Sequence, residues 1–242
     1  MLDVSGGWQR LGCVGEALSA AGKFSICIDH HPTGDPFTDL HHIDPQAAAT
    51  GELIFDLIGA MGGDLTPPIA EALFTAIATD TGYFRFSSTR PRTHQIVARL
   101  LAHGVEPARI YRLLYEQQSL ARMHLKGHML QNISLAANGQ IAWVGLSQAV
   151  LRRFGVSHLD LDGFSGLPLQ IGGVKISIFL VELPEGKVKI SFRSDGEIAV
   201  NRLAVQLGGG GHVPAAGATV PGELAAVTER VVAEAVEFLS RR

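Results

Sequence analysis

An apolar stretch, Phe24 to Ile28, runs directly into Asp29-His30-His31-Pro32. No other segment constrains the chain as strongly. A short apolar run bounded by polar residues reads as a buried strand, and the C-terminal ends of strands are where parallel α/β sheets hold their ligands. One carboxylate and two imidazoles at such an end supply oxygen and nitrogen donors suited to Mn, Fe or Zn. The heptapeptide Ile26 to Pro32 taken alone also fits a polar turn after a buried strand, its histidines merely solvated. Both readings stand at this point.

A second segment favours the metal reading, and a third suits a phosphate. Ala76-Ile77-Ala78-Thr79-Asp80-Thr81-Gly82-Tyr83-Phe84 again delivers one carboxylate at the end of a small, apolar stretch. Near the other end, Gly208-Gly209-Gly210-Gly211-His212 precedes Ala215-Ala216-Gly217. A run without Cβ atoms is entropically costly in a packed element and lets backbone approach a phosphate closely. Its structural alternative is a flexible turn before a helix.

Composition narrows the function classes. The chain has 242 residues, 46% hydrophobic and 18% charged, as an ordinary core-forming protein of one large or two modest domains does. Its net charge of −3 argues against gripping long duplex DNA, which draws on a large basic surface. No run approaches the ~20 apolar residues of a membrane span, and no basic segment leads into an apolar one at the start, so a cytoplasmic protein without membrane partners is expected. Cys13 and Cys27 form no disulfide framework, and Cys27, inside the first strand, reads as a buried free thiol.

Periodicity predicts an α/β protein. Helices are expected over Trp8 to Lys23, Ala47 to Met61, from Pro67 toward Asp80, over Pro91 to His103, and as one long amphipathic helix from Pro107 to Gln131. Past Asn132 the pattern changes to strands: Ile141 to Val144, Val174 to Leu183 and Val188 to Arg193, the last two joined by a Pro184-Glu185-Gly186-Lys187 hairpin. Helices are expected at Ser147 to Phe154, Val200 to Leu207 and Gly222 to Arg242. The organisation read from this is a catalytic domain over 1–106 with a parallel sheet flanked by helices, a linker helix over 107–131, and a smaller α/β domain with a mixed sheet over 132–242.

Taken in order, Asp29-His30-His31, Thr79-Asp80-Thr81-Gly82-x-Phe84 and Gly-Gly-Gly-His-x-x-Ala-Ala-Gly resemble the DHH phosphoesterase superfamily with its associated C-terminal domain. Over nearly the whole chain the resemblance is to the branch that degrades short oligoribonucleotides and dephosphorylates 3′-phosphoadenosine 5′-phosphate, the nanoRNases. It implies a hydrolase using two Mn²⁺ ions, with Mg²⁺ or Co²⁺ as alternatives, and short single-stranded RNA or a small phosphonucleotide as substrate. A homodimer is compatible with it. By position, Asp3, His30 and Asp80 resemble metal ligands, Asp3 as the carboxylate bridging both ions. His31 resembles the residue that contacts the scissile phosphate or leaving oxygen, and Asp29 one that orients the imidazoles. Arg193, Ser194, Gly209, Gly210, Gly211 and His212 resemble the residues holding the terminal nucleotide, an arginine being suited to bidentate phosphate contact. Read without the family, Arg193 has as its modest alternative a solvated charge at the end of a strand. His41 and His42 read as surface or turn residues, and Tyr111 and Tyr115 as packing residues.

The chain departs from the family pattern in one place. The family opens with a His-x-x-Pro-Asp-x-Asp type loop, and nothing like it precedes Asp3. An N-terminally shortened fragment is the favoured expectation, and it predicts a sheet edge and apolar surface left uncovered. The alternatives are a non-catalytic nucleotide-binding or regulatory protein and a cyclic-dinucleotide phosphodiesterase.

Overall fold

The structure is a computed structural model, and it describes residues 1–4, 6–31 and 37–241. Ser5, Pro32 and Arg242, each touched by the readings above, lie outside the described residues. The chain forms two compact units, Met1–Gln117 and Gln118–Arg242.

In the first unit a single 3-10 turn, Trp8–Leu11, leads into α1 (Gly12–Ala20), and α2 (Thr50–Ala60), α3 (Pro67–Asp80), α4 (Pro91–Ala102) and α5 (Pro107–Tyr115) follow. Strand β1 (Ile26–Asp29) runs parallel to β2 (Leu40–Ile43), with Ile28 opposite His42. On the other edge of β1, Ile28 accepts from the backbone N–H of Asp3 and donates to the carbonyl of Met1, both at 3.0 Å. The start of the chain is thereby held beside the Asp-His-His end. Pro67 and Pro68 occupy the first turn of α3, where a missing N–H costs nothing. Its buried residues Ala70, Leu73, Phe74, Ile77 and Ala78 repeat every three or four positions and pack with Ile96, Val97 and Leu100 of α4. That packing orients the helix end carrying Asp80.

His41 and His42 lie in β2 rather than in a turn. His41 Nε2 faces the backbone N–H groups of Phe37 and Thr38, each at 3.1 Å. A four-residue strand with two central histidines carries no apolar signal, so pairing with β1 reveals it and periodicity does not. Phe24 is 75% exposed, and Leu40 is exposed on the neighbouring strand.

The long helix expected over Pro107 to Gln131 is two helices, α5 and α6 (Leu120–Gln131). Ser119 is extended, and its hydroxyl accepts the N–H of Arg122 at 3.2 Å. A serine N-cap satisfies an orphan donor and starts a fresh helix, overriding the continuous amphipathic pattern. The boundary between the two units falls inside this break.

The second unit is a six-stranded mixed sheet in the order β3-β4-β5-β6-β8-β7. Its strands are β3 (Ser134–Ala136), β4 (Ile141–Leu146), β5 (Ile176–Leu183), β6 (Lys187–Ser194), β7 (Gly210–His212) and β8 (Ala215–Pro221). Only β4 and β5 are parallel, and the expected hairpin joins β5 to β6 with Leu183 opposite Lys187. Helices α7 (Gln148–Phe154), α8 (Asn201–Gln206) and α9 (Leu224–Ser240) fall within the expected ranges. Strands β3, β7 and β8 are additions. The glycine block is therefore half strand: Gly210 pairs with Gly217, Gly211 with Ala216, and His212 with Ala215.

Each face of this sheet buries a different core. Ile176, Ile178, Leu180, Val188, Ile190, Phe192 and Val220 pack with Val227, Val231 and Ala235 of α9. On the opposite face Val144, Leu146, Phe179 and Val181 pack with Leu125 and Met129 of α6, Leu151 of α7 and Phe164. A fully buried aliphatic or aromatic side chain contributes about 1.5–3 kcal/mol, so this double burial fixes β5 as the rigid centre of the unit. The second face is apolar only over β4 and β5. On β6, the residues in register with Phe179 and Val181 are Ser191 and Lys189. Among the described residues, no helix is long and apolar enough to cross a membrane.

Candidate functional site

In the first unit, β1 ends in Asp29 and the chain turns immediately, so consecutive side chains crowd one corner. Ligand atoms of Asp3, Asp29, His30 and His31 all lie within 4.8 Å of one another. His30 Nε2 is 3.7 Å from Asp3 Oδ1 and 3.6 Å from Asp80 Oδ2, and His31 Nδ1 is 3.4 Å from Asp3 Oδ1. Asp3, on the edge of β1, and Asp80, at the end of α3, thus meet His30 from two elements distant in sequence.

Partners orient each donor. His30 Nδ1 lies 3.3 Å from the carbonyl oxygen of Ala47. A ring nitrogen facing a carbonyl is the N–H, which leaves Nε2 as the lone-pair nitrogen, the arrangement metal-binding imidazoles adopt. Asp29 is fully buried; its Oδ1 accepts the backbone N–H of His31 at 2.8 Å and lies 2.9 Å from His31 Nδ1. Asp3 Oδ1 accepts from the hydroxyl of Thr50 at 2.9 Å. Buried Glu52 accepts the N–H of Ala48 at 3.2 Å and braces the turn whose carbonyl meets His30. Thr50 and Glu52 are supporting residues that sequence reasoning missed. Their only sequence signal is a place in the first turn of α2.

Backbone strain collects at the same corner. Asp3 has φ +58°, and beyond Asp80 the residues Gly82, Tyr83 and Phe84 have φ +56°, +56° and +67°. Positive φ at bulky residues is rare and is retained where the surroundings enforce it. Here Thr81, fully buried, donates to Ile77 O at 2.6 Å and accepts from Phe84 N at 3.1 Å, pinning the turn. Tyr83 also packs against Tyr111 and Tyr115, with ring centroids 4.9 and 5.7 Å away.

The corner suits a cation. His30 Nε2 and Asp29 Oδ2 are buried with no hydrogen-bond partner, and such orphaned acceptors are costly. Burial raises the Asp80 pKa from its ordinary value, reinforced by Asp3 and Asp29 and opposed by His30 and His31. A bound cation would remove these penalties together. Beside the donors lies a cavity of about 520 Å³, lined by Asp3, Thr50 and Asp80 with an apolar wall including Ile54 and Leu73.

In the second unit, register aligns most of the residues expected to hold a nucleotide. Directly opposed residues of antiparallel strands share a face. Arg193 lies opposite Ala215, itself opposite His212, and Ser191 opposite Gly217, itself opposite Gly210. Arg193, Gly210 and His212 therefore lie on one face, together with Ser191. Ser194 points the other way. It is 8% exposed, donates to Ile198 O at 2.6 Å and accepts from Gly196 N at 3.3 Å, bracing the loop after β6. Strand alternation places it opposite to Arg193. A Cβ on Gly209 would sit 2.1 Å from Gly217 O, and one on Gly211, at φ +138°, 2.6 Å from Ala215 O. Their backbones approach a neighbouring strand. At Gly210 a Cβ would meet nothing within 4 Å, so its bare backbone faces open space. Burial lowers the pKa of Arg193, whose Nη1 donates to Phe192 O at 2.9 Å.

Comparison with known proteins gives consistent matches. The DHHA1 domain model matches residues 144–241. A bifunctional oligoribonuclease and PAP phosphatase from Thermus thermophilus is 40% identical over 90% of this chain and 65% of its own length. Its namesake from Bacillus subtilis is 33% identical over 83% of the chain and 64% of its own length. The chain thus spans just under two thirds of these curated relatives. An exopolyphosphatase-related protein from Bacteroides fragilis superposes with a TM-score of 0.92 at 33% identity, covering 98% of this chain and 69% of that one.

Proposed function

This chain belongs to the DHH phosphoesterase superfamily, in the branch of the oligoribonuclease and PAP phosphatase proteins, and from that membership we propose that it is a metal-dependent phosphoesterase acting on short oligoribonucleotides or 3′-phosphoadenosine 5′-phosphate. The observation that carries the proposal is the convergence of Asp3, His30 and Asp80 around an orphaned, buried imidazole nitrogen. These three would hold the cation, with Mn²⁺ as the expected ion and Mg²⁺ or Co²⁺ as alternatives. A divalent ion supplies charge neutralisation at phosphorus and lowers the pKa of water.

The remaining roles belong to the chain's own groups. Asp29 holds the His31 ring and backbone through one oxygen, which orients His31 for contact with a phosphate or leaving oxygen. Ala47 fixes the His30 tautomer and Thr50 fixes the Asp3 carboxylate. In the second unit, Arg193, His212 and the bare backbone at Gly210 supply donors for a terminal phosphate, and Gly209 and Gly211 make the strand approach that positions them. Ser194 has no part in this set.

Release of mononucleotides from a three-residue RNA, measured with the chain and Mn²⁺, is the direct test. Turnover that disappears in the His30→Ala/Asp80→Ala double variant supports the proposal, and turnover unchanged by it refutes the assignment. A second reading is nucleotide binding without hydrolysis. It is favoured by the donor set itself, which among the described residues forms one cluster suited to a single cation. Calorimetry separates the two: mononucleotide binding that needs no divalent metal, with no turnover when metal is added, supports binding alone.

A further inference from the structure

The second unit holds a cavity of about 330 Å³ that includes Arg193 and whose other lining residues have no role above. Its floor is the polar continuation of a sheet face that is otherwise apolar. Lys189, Ser191 and Arg193 occupy alternate positions of β6 and therefore project from one side. Opposite them on β5 are Val181, Phe179 and Ser177. The wall is the segment from His158 to Ser165, which brings His158, Asp162 and Ser165 to the cavity. It is tied to the floor, since Ser177 Oγ donates to the carbonyl of Ser165 at 2.8 Å, and Phe164 packs in the core beneath it. The cavity is preformed.

Its lining sets two cationic side chains, Lys189 and Arg193, against one carboxylate, Asp162. Among the described residues neither Lys189 nor Arg193 has an ion pair, whereas Lys187, two residues earlier on the same face, pairs with Glu185 at 3.3 Å. Arg193 is partly desolvated, which makes an unpaired guanidinium costly unless an anion arrives. Lys189 and Arg193 are four strand positions apart, about 13 Å along β6. A phosphate held at the Arg193 and glycine end leaves Lys189 at the far end without a counter-charge.

We infer that this cavity is a second nucleotide subsite, in which Lys189 and Ser191 take the phosphodiester adjacent to the phosphate held at Arg193 and Gly210. The inference rests on the nucleotide reading of the second unit given above and extends it from a terminal group to a strand of at least two phosphates. The mixed lining fits a nucleotide better than bare phosphate. Asp162 offers an acceptor for sugar hydroxyls, Ser165 a hydroxyl, and Phe179, Val181 and Leu161 an apolar surface for a sugar or base. Lys189 becomes the residue by which the site distinguishes a short strand from a mononucleotide.

The experiment compares binding of AMP and of the 5′-phosphorylated triribonucleotide pApApA to the whole chain by calorimetry, at several salt concentrations. Lys189→Gln is expected to weaken pApApA about ten-fold, to leave AMP unchanged, and to reduce the salt slope of log K by ~0.7. Lys189→Arg should retain pApApA binding, and Lys187→Gln, which removes a neighbouring charge already paired with Glu185, should change neither ligand. Equal weakening of both ligands, or pApApA binding unaffected by Lys189→Gln, overturns the subsite while leaving the terminal site intact. A wild-type chain that binds neither ligand overturns the nucleotide reading and the subsite together.

Discussion

The two proposed sites, the corner around His30 and the polar face around Ser191, are built in opposite ways. At the corner, recognition comes from side chains: two carboxylates and two imidazoles crowd together, some of their atoms orphaned by burial, on backbone bent into positive φ at Asp3 and after Asp80. On the face, recognition comes largely from missing side chains and from register, with Gly210 and Gly217 aligned beside Ser191. The first concentrates charge, and in the proposed reading a cation would relax it. The second sets Lys189 and Arg193 beside glycines without side chains, and in the proposed reading it would take an anion.

The contrast is sharpest in what a single added methyl group does. Gly209→Ala would place a Cβ 2.1 Å from a carbonyl oxygen of β8, so its thermal stability is expected to fall by roughly 1–3 kcal/mol or more, readable by denaturant unfolding. Gly210→Ala, one residue on, meets nothing and should unfold like the wild type while losing mononucleotide affinity. If the two variants were equally destabilised, the division between structural and ligand-facing glycines would break.

At the corner the corresponding probes keep shape and change chemistry. Asp29→Asn keeps the shape and an accepting oxygen but removes the negative charge that holds the His31 ring and backbone, and loss of such a supporting carboxylate costs about 10–100-fold in metal affinity or activity. Titration of the chain with Mn²⁺, read by calorimetry, would show it, and wild-type affinity in the variant would place Asp29 outside the site. Thr50→Val removes one hydrogen bond to a charged carboxylate, expected to cost about 1.5 kcal/mol and to lower metal affinity roughly ten-fold.

The smallest effect is on stability against pH. Burial raises the Asp80 pKa above its usual value, so ionising this carboxyl is less favourable in the folded chain than in the unfolded one. Stability from this group is then fully present below the ordinary aspartate pKa and is lost as pH rises through the raised one. Asp80→Asn should therefore unfold at a slightly higher temperature than the wild type near neutral pH, in chelator, with the gap closing as pH falls. A gap that widens on acidification would reverse the assignment of burial as the dominant cause.

Much of this molecule was legible along the chain. The strand entering Asp29-His30-His31, the proline-initiated helix ending at Asp80 and the glycine block each carry a local signal of composition or spacing, and their order carried the family resemblance. The helices of the second unit and the β5 to β6 hairpin followed from periodicity and turn residues. Strands β2, β3, β7 and β8 did not, because histidine, alanine and glycine have weak strand propensity and pair only through neighbours that fix their register.

Sequence alone determined which chemistry-bearing residues the chain possesses and which elements carry them. Tertiary structure decided which of them act together: Asp3 and Asp80 reach one imidazole through contacts across the first unit, Ser194 turns inward to brace a loop, and Lys189 and Ser191 emerge beside Arg193. The reason is geometric. A side chain's direction on a strand alternates with every residue, and its partners are set by the neighbouring strand's register, which no local stretch of sequence records.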